Sequence, residues 1–559
     1  MEKILTHLRT GFLRLSPSIS SHLTVMVLFL LCLLPIIALI PLLSLPLTSD
    51  EFQFTTIFSR FPTFPKFLKF LRWWESHPPT SFIIIWLWGK LTYGIPVAPE
   101  IKYRILSLSL LAAASGVSFL WLRQHASRLS AAFGLIVILN APVLFEIGIE
   151  IRNYQLLVFW FSLYLFFTAR LCGETKRPRR DALLSILFLI LATLTHLSAA
   201  IGAIGYELYL LGQIQKLDPA HPVARHWRHC RRWVLLASLV AGVIVVHYKW
   251  DYLPIYYLGE YHRYIDEGVL DYLGRVVINL QTTFFKSDRV ALWYFILGFG
   301  AISSLRRKNW ENLELCLFPF LLMILLSAFR LYPLGGRYST CLLPFLALLV
   351  ARSLDSFSPR WKIALGATLT VFVTASMLPL NMLAKALIVL LFAAFLWGEK
   401  RISLCMGIAY ASLLFYFTPW TAPSHWTTLR EIKEIREVAE KNMPREIIVN
   451  DNPFLTEDGY RATYWSSYLL KNANWQEYAV KGFTNGIGIS GDFLAKHSLT
   501  RENPADRLEE IETEKEEAKE LNLQKQPIIM ILDKRRTLYS DKYEPYLVKQ
   551  TENYYVLVI

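Results

Sequence analysis

Fourteen apolar runs, separated by short loops in which arginine and lysine collect, constrain this chain more than anything else in it. They lie at about 23–47, 82–96, 104–122, 131–148, 154–171, 182–196, 198–212, 233–248, 290–305, 313–329, 338–352, 362–379, 382–397 and 402–419. A backbone that leaves water for lipid must pair its own N–H and C=O groups, and a helix does this within one segment. Some runs fall short of the ~20 residues of a full span, which leaves their boundaries soft. Of 559 residues, 54% are hydrophobic and only 18% charged, where soluble proteins carry about 25% charged residues. The expected class is a polytopic α-helical membrane protein.

The net charge of +14 does not indicate nucleic acid. The excess Lys and Arg sit in the loops between apolar runs, where they orient helices. Six cysteines, Cys32, Cys172, Cys230, Cys316, Cys341 and Cys405, show no CxxC spacing. Neither a disulfide framework nor a cysteine metal site is expected. The first run is too long for a signal-peptide core and is read as a retained helix.

The basic loops set the sides of the membrane. They include Lys176–Arg180, the stretch with Arg225, Arg228, Arg231 and Arg232, Arg306–Lys308, and Lys400-Arg401. The pair Arg360 and Lys362 belongs with these, and a weaker loop holds Arg123 and Arg128. All are expected to be cytoplasmic. They share one side if run 82–96 is a juxtamembrane or re-entrant helix. About thirteen crossings then remain, with the N-terminus inside and the C-terminus outside. The outer face receives Asp50-Glu51, Glu75–Pro79, Glu150–Tyr154, His196, the 249–288 loop, Gly335–Tyr338 and everything after about residue 420. Polar islands at a membrane surface are costly unless they act, and this topology gathers them on one face.

Two domains are expected, a membrane domain over 1–420 and an outer α/β domain over 421–559. In the latter, residues 427–442 have an amphipathic helical period, and Arg507–Leu523 reads as a charged helix. Glu446–Asn450, Pro527–Leu532 and Tyr554–Ile559 read as strands. The outer domain has no N-x-S/T sequon, which favours a bacterial periplasm over a glycosylating lumen.

Asp-Glu after the first helix, then His77-Pro78-Pro79 opening the next, resembles the lipid-dependent membrane glycosyltransferases of the GT-C type. Arg152-x-Tyr154 opening a helix, Thr195-His196 at a hairpin tip, and Arg337-Tyr338 followed by Pro344 agree with the group of protein mannosyltransferases and the lipid A aminoarabinose transferase. The resemblance covers about residues 1–420. It implies inverting transfer of a sugar from a polyprenyl-phosphate donor to a lipid, glycan or protein acceptor. The site would lie on the periplasmic face of a cell inner membrane, in lipopolysaccharide or protein glycosylation.

That chemistry needs a carboxylate near the acceptor hydroxyl and positive charge for the departing phosphate. Asp50 is the first candidate for the carboxylate, since partial burial suits it to proton transfer. Glu51 orients Asp50, binds a metal with it, or faces solvent. His77 contacts a substrate, joins Asp50 at a divalent cation, or caps a helix whose first turn is Pro78-Pro79. Glu150 is the candidate second acid, although the aminoarabinose branch has an aspartate nearer Tyr154. On a helix, Glu150 and Arg152 would point to different faces, so no mutual ion pair is expected. Arg337 is the phosphate candidate, because a guanidinium grips two oxygens, with Tyr338, Arg330 and Arg152 as further donors. Tyr154 and His196 are candidate substrate contacts. The aromatic 249–288 loop, with Trp250, Tyr252, Tyr256, Tyr257, Tyr261 and Tyr264, fits an interfacial belt. A transporter or flippase is the alternative; no internal repeat supports it, and the polar residues lie at one face rather than at mid-depth. A non-catalytic assembly or sensor protein is the third reading.

Overall fold

The computed structural model describes residues 39–45, 63–74, 78–141, 150–172, 177–215, 310–328, 336–356, 446–450, 528–533, 541–550 and 554–559. Single residues and short groups elsewhere are also described, among them Glu51, Thr55 and Phe61. Contacts sort the chain into two units: Met1–Pro41, Ser76–Thr80 and Ser107–Trp420 form one, and Leu42–Glu75, Ser81–Leu106 and Thr421–Ile559 the other.

The helices are α1 (Phe64–Trp74), α2 (Thr80–Leu91), α3 (Pro99–His125), α4 (Arg128–Asn140), α5 (Tyr154–Cys172), α6 (Pro178–Thr193), α7 (Ser198–Gln215), α8 (Trp310–Ala328) and α9 (Leu343–Ser356). Among the described residues, three helical stretches are long and apolar enough to cross a membrane: Pro99–His125, Tyr154–Leu171 and Tyr338–Asp355. The chain is a membrane protein on this evidence. The apolar runs at 362–379, 382–397 and 402–419 lie outside the described residues, as do nearly all of those at 233–248 and 290–305.

In the first unit, α5 pairs with α6, α4 with α9, and α7 with α8. Small residues let these backbones approach. A Cβ on Gly134 would meet the Ala347 carbonyl oxygen at 2.5 Å, and one on Gly205 would meet Pro319 Cα at 2.6 Å. In lipid, helix association rests on such close packing rather than on apolar burial. Polar pairs add to it: Ser118 Oγ to Ser162 Oγ at 2.7 Å joins α3 to α5, and Thr168 Oγ1 to Ser185 Oγ at 2.6 Å joins α5 to α6. Pro178 opens α6, where its missing N–H costs nothing. The buried Asp181 in that first turn holds Arg170 at 3.0 Å. Ser127 caps α4, and Asp355 at the end of α9 accepts from Ser127 N at 2.7 Å, Ser127 Oγ at 2.6 Å and Ser130 Oγ at 2.6 Å. A carboxylate at that position satisfies the orphan donors of the helix start and suits its dipole.

In the second unit, the strands β1 (Glu446–Asn450), β2 (Ile528–Asp533), β3 (Leu547–Gln550) and β4 (Tyr554–Val558) form one sheet in the order β1-β2-β4-β3. β1 and β2 are parallel, with Ile448 opposite Met530; β4 is antiparallel to β2 and β3. Ile528, Met530 and Leu532 alternate along β2, so one face buries all three together with Leu508, Ile511 and Leu557. Tyr546 donates to Glu512 at 2.7 Å, and that hydrogen bond holds its phenol above the ordinary range. The same unit contains α1 and α2, where Trp86 stacks on Phe67 and donates to the Phe61 carbonyl at 3.1 Å. Gly94, at φ 83°, turns the chain after α2 where a side chain would be strained.

Three expectations change. The first apolar run does not stay helical to residue 47: Ile40–Leu42 is a 3-10 turn followed by a bend, as Pro41 and Pro46 would impose. α2 begins at Thr80, so Pro78 and Pro79 precede the helix instead of forming its first turn. The apolar run from 338 opens as a 3-10 helix, Gly336–Leu342, before α9.

Candidate functional site

The described polar islands build two clusters, one in each unit. The first is centred on Glu51. Arg104, near the start of α3, donates through Nε to Glu51 Oε1 at 3.0 Å and through Nη2 to Oε2 at 2.6 Å. Both side chains are 0% exposed. The same guanidinium turns Nη1 onto the carbonyls of Leu42 at 3.2 Å, Leu43 at 3.3 Å and Leu45. The planar fork of arginine suits this task, since it can meet a carboxylate bidentately and still spare donors. The sequence reading of Glu51, as a residue that orients Asp50, binds a metal with it or faces solvent, did not include an arginine partner. Arg104 was missed because it opens an apolar run and reads as its boundary. A charge inside such a run needs a partner, and that was the available signal.

The second cluster lies where α5, the α6–α7 hairpin and the 3-10 helix meet. The hairpin tip carries His196, which is buried. Its ring lies 5.8 Å from that of Tyr154 at the start of α5 and 5.9 Å from that of Tyr338 in the 3-10 helix. Ser198 N donates to His196 Nδ1 at 3.3 Å, and Ser198 Oγ lies 2.8 Å from the same nitrogen. With Nδ1 accepting, the neutral ring carries its proton on Nε2. Asn153 Nδ2 donates to the Thr195 carbonyl at 3.4 Å, and Thr80 N to the Leu194 carbonyl at 3.2 Å. The residue after His77-Pro78-Pro79 is therefore tied to the tip that carries His196. Tyr154, His196 and Tyr338, chosen from three separate stretches of sequence, come together.

Glu150 and Arg152 correct an expectation. Their side chains lie 3.7 Å apart, both mostly buried. Helical geometry would have separated them, but α5 starts only at Tyr154. Residues 150–152 form a tight turn in which Arg152 N donates to the Glu150 carbonyl at 2.9 Å. Arg337 belongs to the 3-10 helix. Asp50, His77, Arg330 and the aromatic residues of the 249–288 loop named above lie outside the described residues. Among the described residues, no group of three His, Cys, Asp or Glu side chains could hold a metal ion. Cys341 is a free, buried thiol, and it donates to the Ser198 carbonyl at 3.3 Å.

No family model matches the chain, and no curated protein matches it. Among solved structures, ArnT from Cupriavidus metallidurans bound to undecaprenyl phosphate matches with a TM-score of 0.53 at 14% identity, over 97% of this chain and 98% of its own. The same protein in the apo state matches with a TM-score of 0.50 at 13% identity, over 91% of this chain and 93% of its own. The fold is GT-C. The archaeal oligosaccharyltransferase AglB from Archaeoglobus fulgidus, in complex with an inhibitory peptide and a dolichol-phosphate, has a TM-score of 0.43 at 10% identity over 92% of this chain and 70% of its own, too loose to bear on the matter. Identity this low speaks for the GT-C fold and assigns no side chain a role.

Proposed function

We propose that the chain is an inverting glycosyltransferase that moves a sugar from a polyprenyl-phosphate donor to a lipid, glycan or protein hydroxyl. The observation that carries this reading is the likeness of fold, along nearly the whole chain, to a protein solved with undecaprenyl phosphate bound. The order of the polar islands adds support. In this reading the acceptor oxygen attacks the anomeric carbon, and its proton passes to Asp50. The bond from that carbon to the phosphate oxygen breaks on the opposite face, which inverts the centre. The departing polyprenyl phosphate gains charge that Arg337 and Tyr338 stabilise, with Arg330 and Arg152 as supporting cations. Glu150 is the second acid, and His77, Tyr154 and His196 hold substrate. Asp50 and His77 are the residues that would hold a divalent ion, which would add electrophilic pull on the phosphate. The reading places the protein in an inner membrane, crossing about thirteen times. Its N-terminus is cytoplasmic, and residues 421–559 form a periplasmic domain.

The test is a transfer assay on purified protein in liposomes. Labelled undecaprenyl-phosphate monosaccharides are supplied with a lipid extract of the native host. Label is expected to enter a new product, and Asp50→Asn is expected to lower the rate by at least ~10²-fold with an unchanged melting curve. Retained turnover in that variant removes Asp50 from the chemistry. A protein that neither transfers label nor binds undecaprenyl phosphate is not this enzyme.

A further inference from the structure

The turn that joins α2 to α3 gathers exposed apolar side chains that a water-facing loop would disperse. Leu87 and Leu91 lie four residues apart, on one face of α2; both are exposed, Leu91 by 76%. Tyr93, 88% exposed, continues the patch along the turn with Ile95 and Val97. The other side of α2 buries Phe82 and Ile85, and Trp86 stacks on Phe67 of α1.

The backbone of this turn is paired within itself. Thr92 N donates to the Trp88 carbonyl at 2.9 Å, Ile95 N to that of Thr92 at 3.2 Å, and Val97 N to that of Ile95 at 2.8 Å. Pro96 and Pro99 have no N–H to satisfy. Lys102 Nζ donates to the Thr92 carbonyl at 3.0 Å and Trp88 Nε1 to the Lys102 carbonyl at 2.9 Å, which ties the turn to the start of α3. Paired backbone lowers the cost of leaving water for lipid. α3 begins two residues after Val97 and is a membrane-crossing stretch, with Ile105 exposed in its second turn. The apolar surface therefore runs on along the chain into a helix whose surroundings are lipid. Lys90 is exposed, with Nζ 5.6 Å from the centre of the Trp86 ring. Lysine and tryptophan at the rim of an apolar surface suit the head-group layer.

We infer that the turn 91–97, together with Leu87, enters the leaflet in which α3 begins, and that its ligand is the boundary between lipid head groups and acyl chains. Lys90 then lies at the phosphates. The depth for such an element is about 5–10 Å. The sequence left run 82–96 as juxtamembrane or re-entrant; here only its last turn and the loop beyond enter lipid, because Phe82 and Ile85 are buried in protein. The inference needs α3 to cross the membrane and does not rest on the glycosyltransferase reading.

The test places a nitroxide spin label at Tyr93→Cys in the full chain, reconstituted in nanodiscs of phosphatidylethanolamine and phosphatidylglycerol. Wild type treated in the same way supplies the signal of the native cysteines. Gln550→Cys, at an exposed position of the edge strand β3, is the aqueous reference. Spectra are read for collision with oxygen, which concentrates in lipid, and with a nickel chelate, which stays in water. The label at 93 is expected to favour oxygen over nickel severalfold more than the label at 550. Adding Leu91→Glu and Ile95→Glu, both at exposed positions, is expected to reverse that preference with an unchanged melting curve.

A label at 93 that meets nickel as readily as the one at 550 would overturn the inference. A label reached by neither reagent would overturn it too, since protein would then cover the turn. So would a preference for oxygen that survives both glutamates, because the apolar side chains would not be what holds the turn in lipid.

Discussion

Arg104 is the sixth residue of α3 and has no exposed surface. Its removal breaks a buried, bidentate ion pair with Glu51, a change that typically costs about 3–5 kcal/mol. Arg104→Ala is therefore expected to lower the melting temperature of the detergent-solubilised protein by many degrees. Replacing both partners with apolar side chains of similar shape, Glu51→Leu/Arg104→Met, is expected to recover only part of that loss, because the carbonyls of Leu42, Leu43 and Leu45 still lose the Arg104 donor. The contrast separates the worth of the pair from the cost of breaking it. Glu51 stood out in the sequence, because two acids at a helix end draw attention. Its partner did not, because the pairing spans 53 residues and leaves no local mark. The Glu150–Arg152 contact at 3.7 Å was missed for the opposite reason. Its residues are neighbours, but a helical period was assumed where the backbone turns.

At the scale of elements, glycine placement decides how closely α4 meets α9 and α7 meets α8. Gly134→Ala would press a methyl group against the Ala347 carbonyl at 2.5 Å, and Gly205→Ala against Pro319 at 2.6 Å. Both contacts are backbone and cannot swing aside, so each substitution is expected to cost ~1–3 kcal/mol. Gly212→Ala is the control: it also lies in α7 but has nothing within 4 Å, and it is expected to be neutral or to gain up to ~1 kcal/mol from helix propensity. Thermal unfolding of the three variants checks the ordering. The long helices were legible from hydropathy, since α3, α5, α7 and α8 each cover an apolar run read from sequence. β1, β2 and β4 were legible as short apolar runs among charged residues. β3 was not, because LVKQ has only two apolar residues, and it is an edge strand that borrows its order from β4.

For the whole molecule, the contact units cut across the sequence. Leu42–Glu75 and Ser81–Leu106 belong to the same unit as Thr421–Ile559. A chain ending at Trp420 therefore loses part of that unit while keeping the rest. Hydrogen exchange is expected to show faster exchange in α1 and α2 of the shortened chain than in the full one, since sub-global units open together. Equal protection in the two would show that the N-terminal segments of this unit are stable without residues 421–559.

The 3-10 helix that precedes α9 has a consequence for aim. Each residue turns about 120° in a 3-10 helix and about 100° in an α-helix. Rewinding the five residues from Tyr338 to Leu342 as α-helix would rotate Tyr338 by about 100° relative to α9. The contact between the Tyr338 and His196 rings at 5.9 Å therefore depends on the winding of the residues that link Tyr338 to α9. A substitution at Thr340 or Leu342 that favours α-helical winding would misdirect a side chain two or more residues upstream without altering its chemistry.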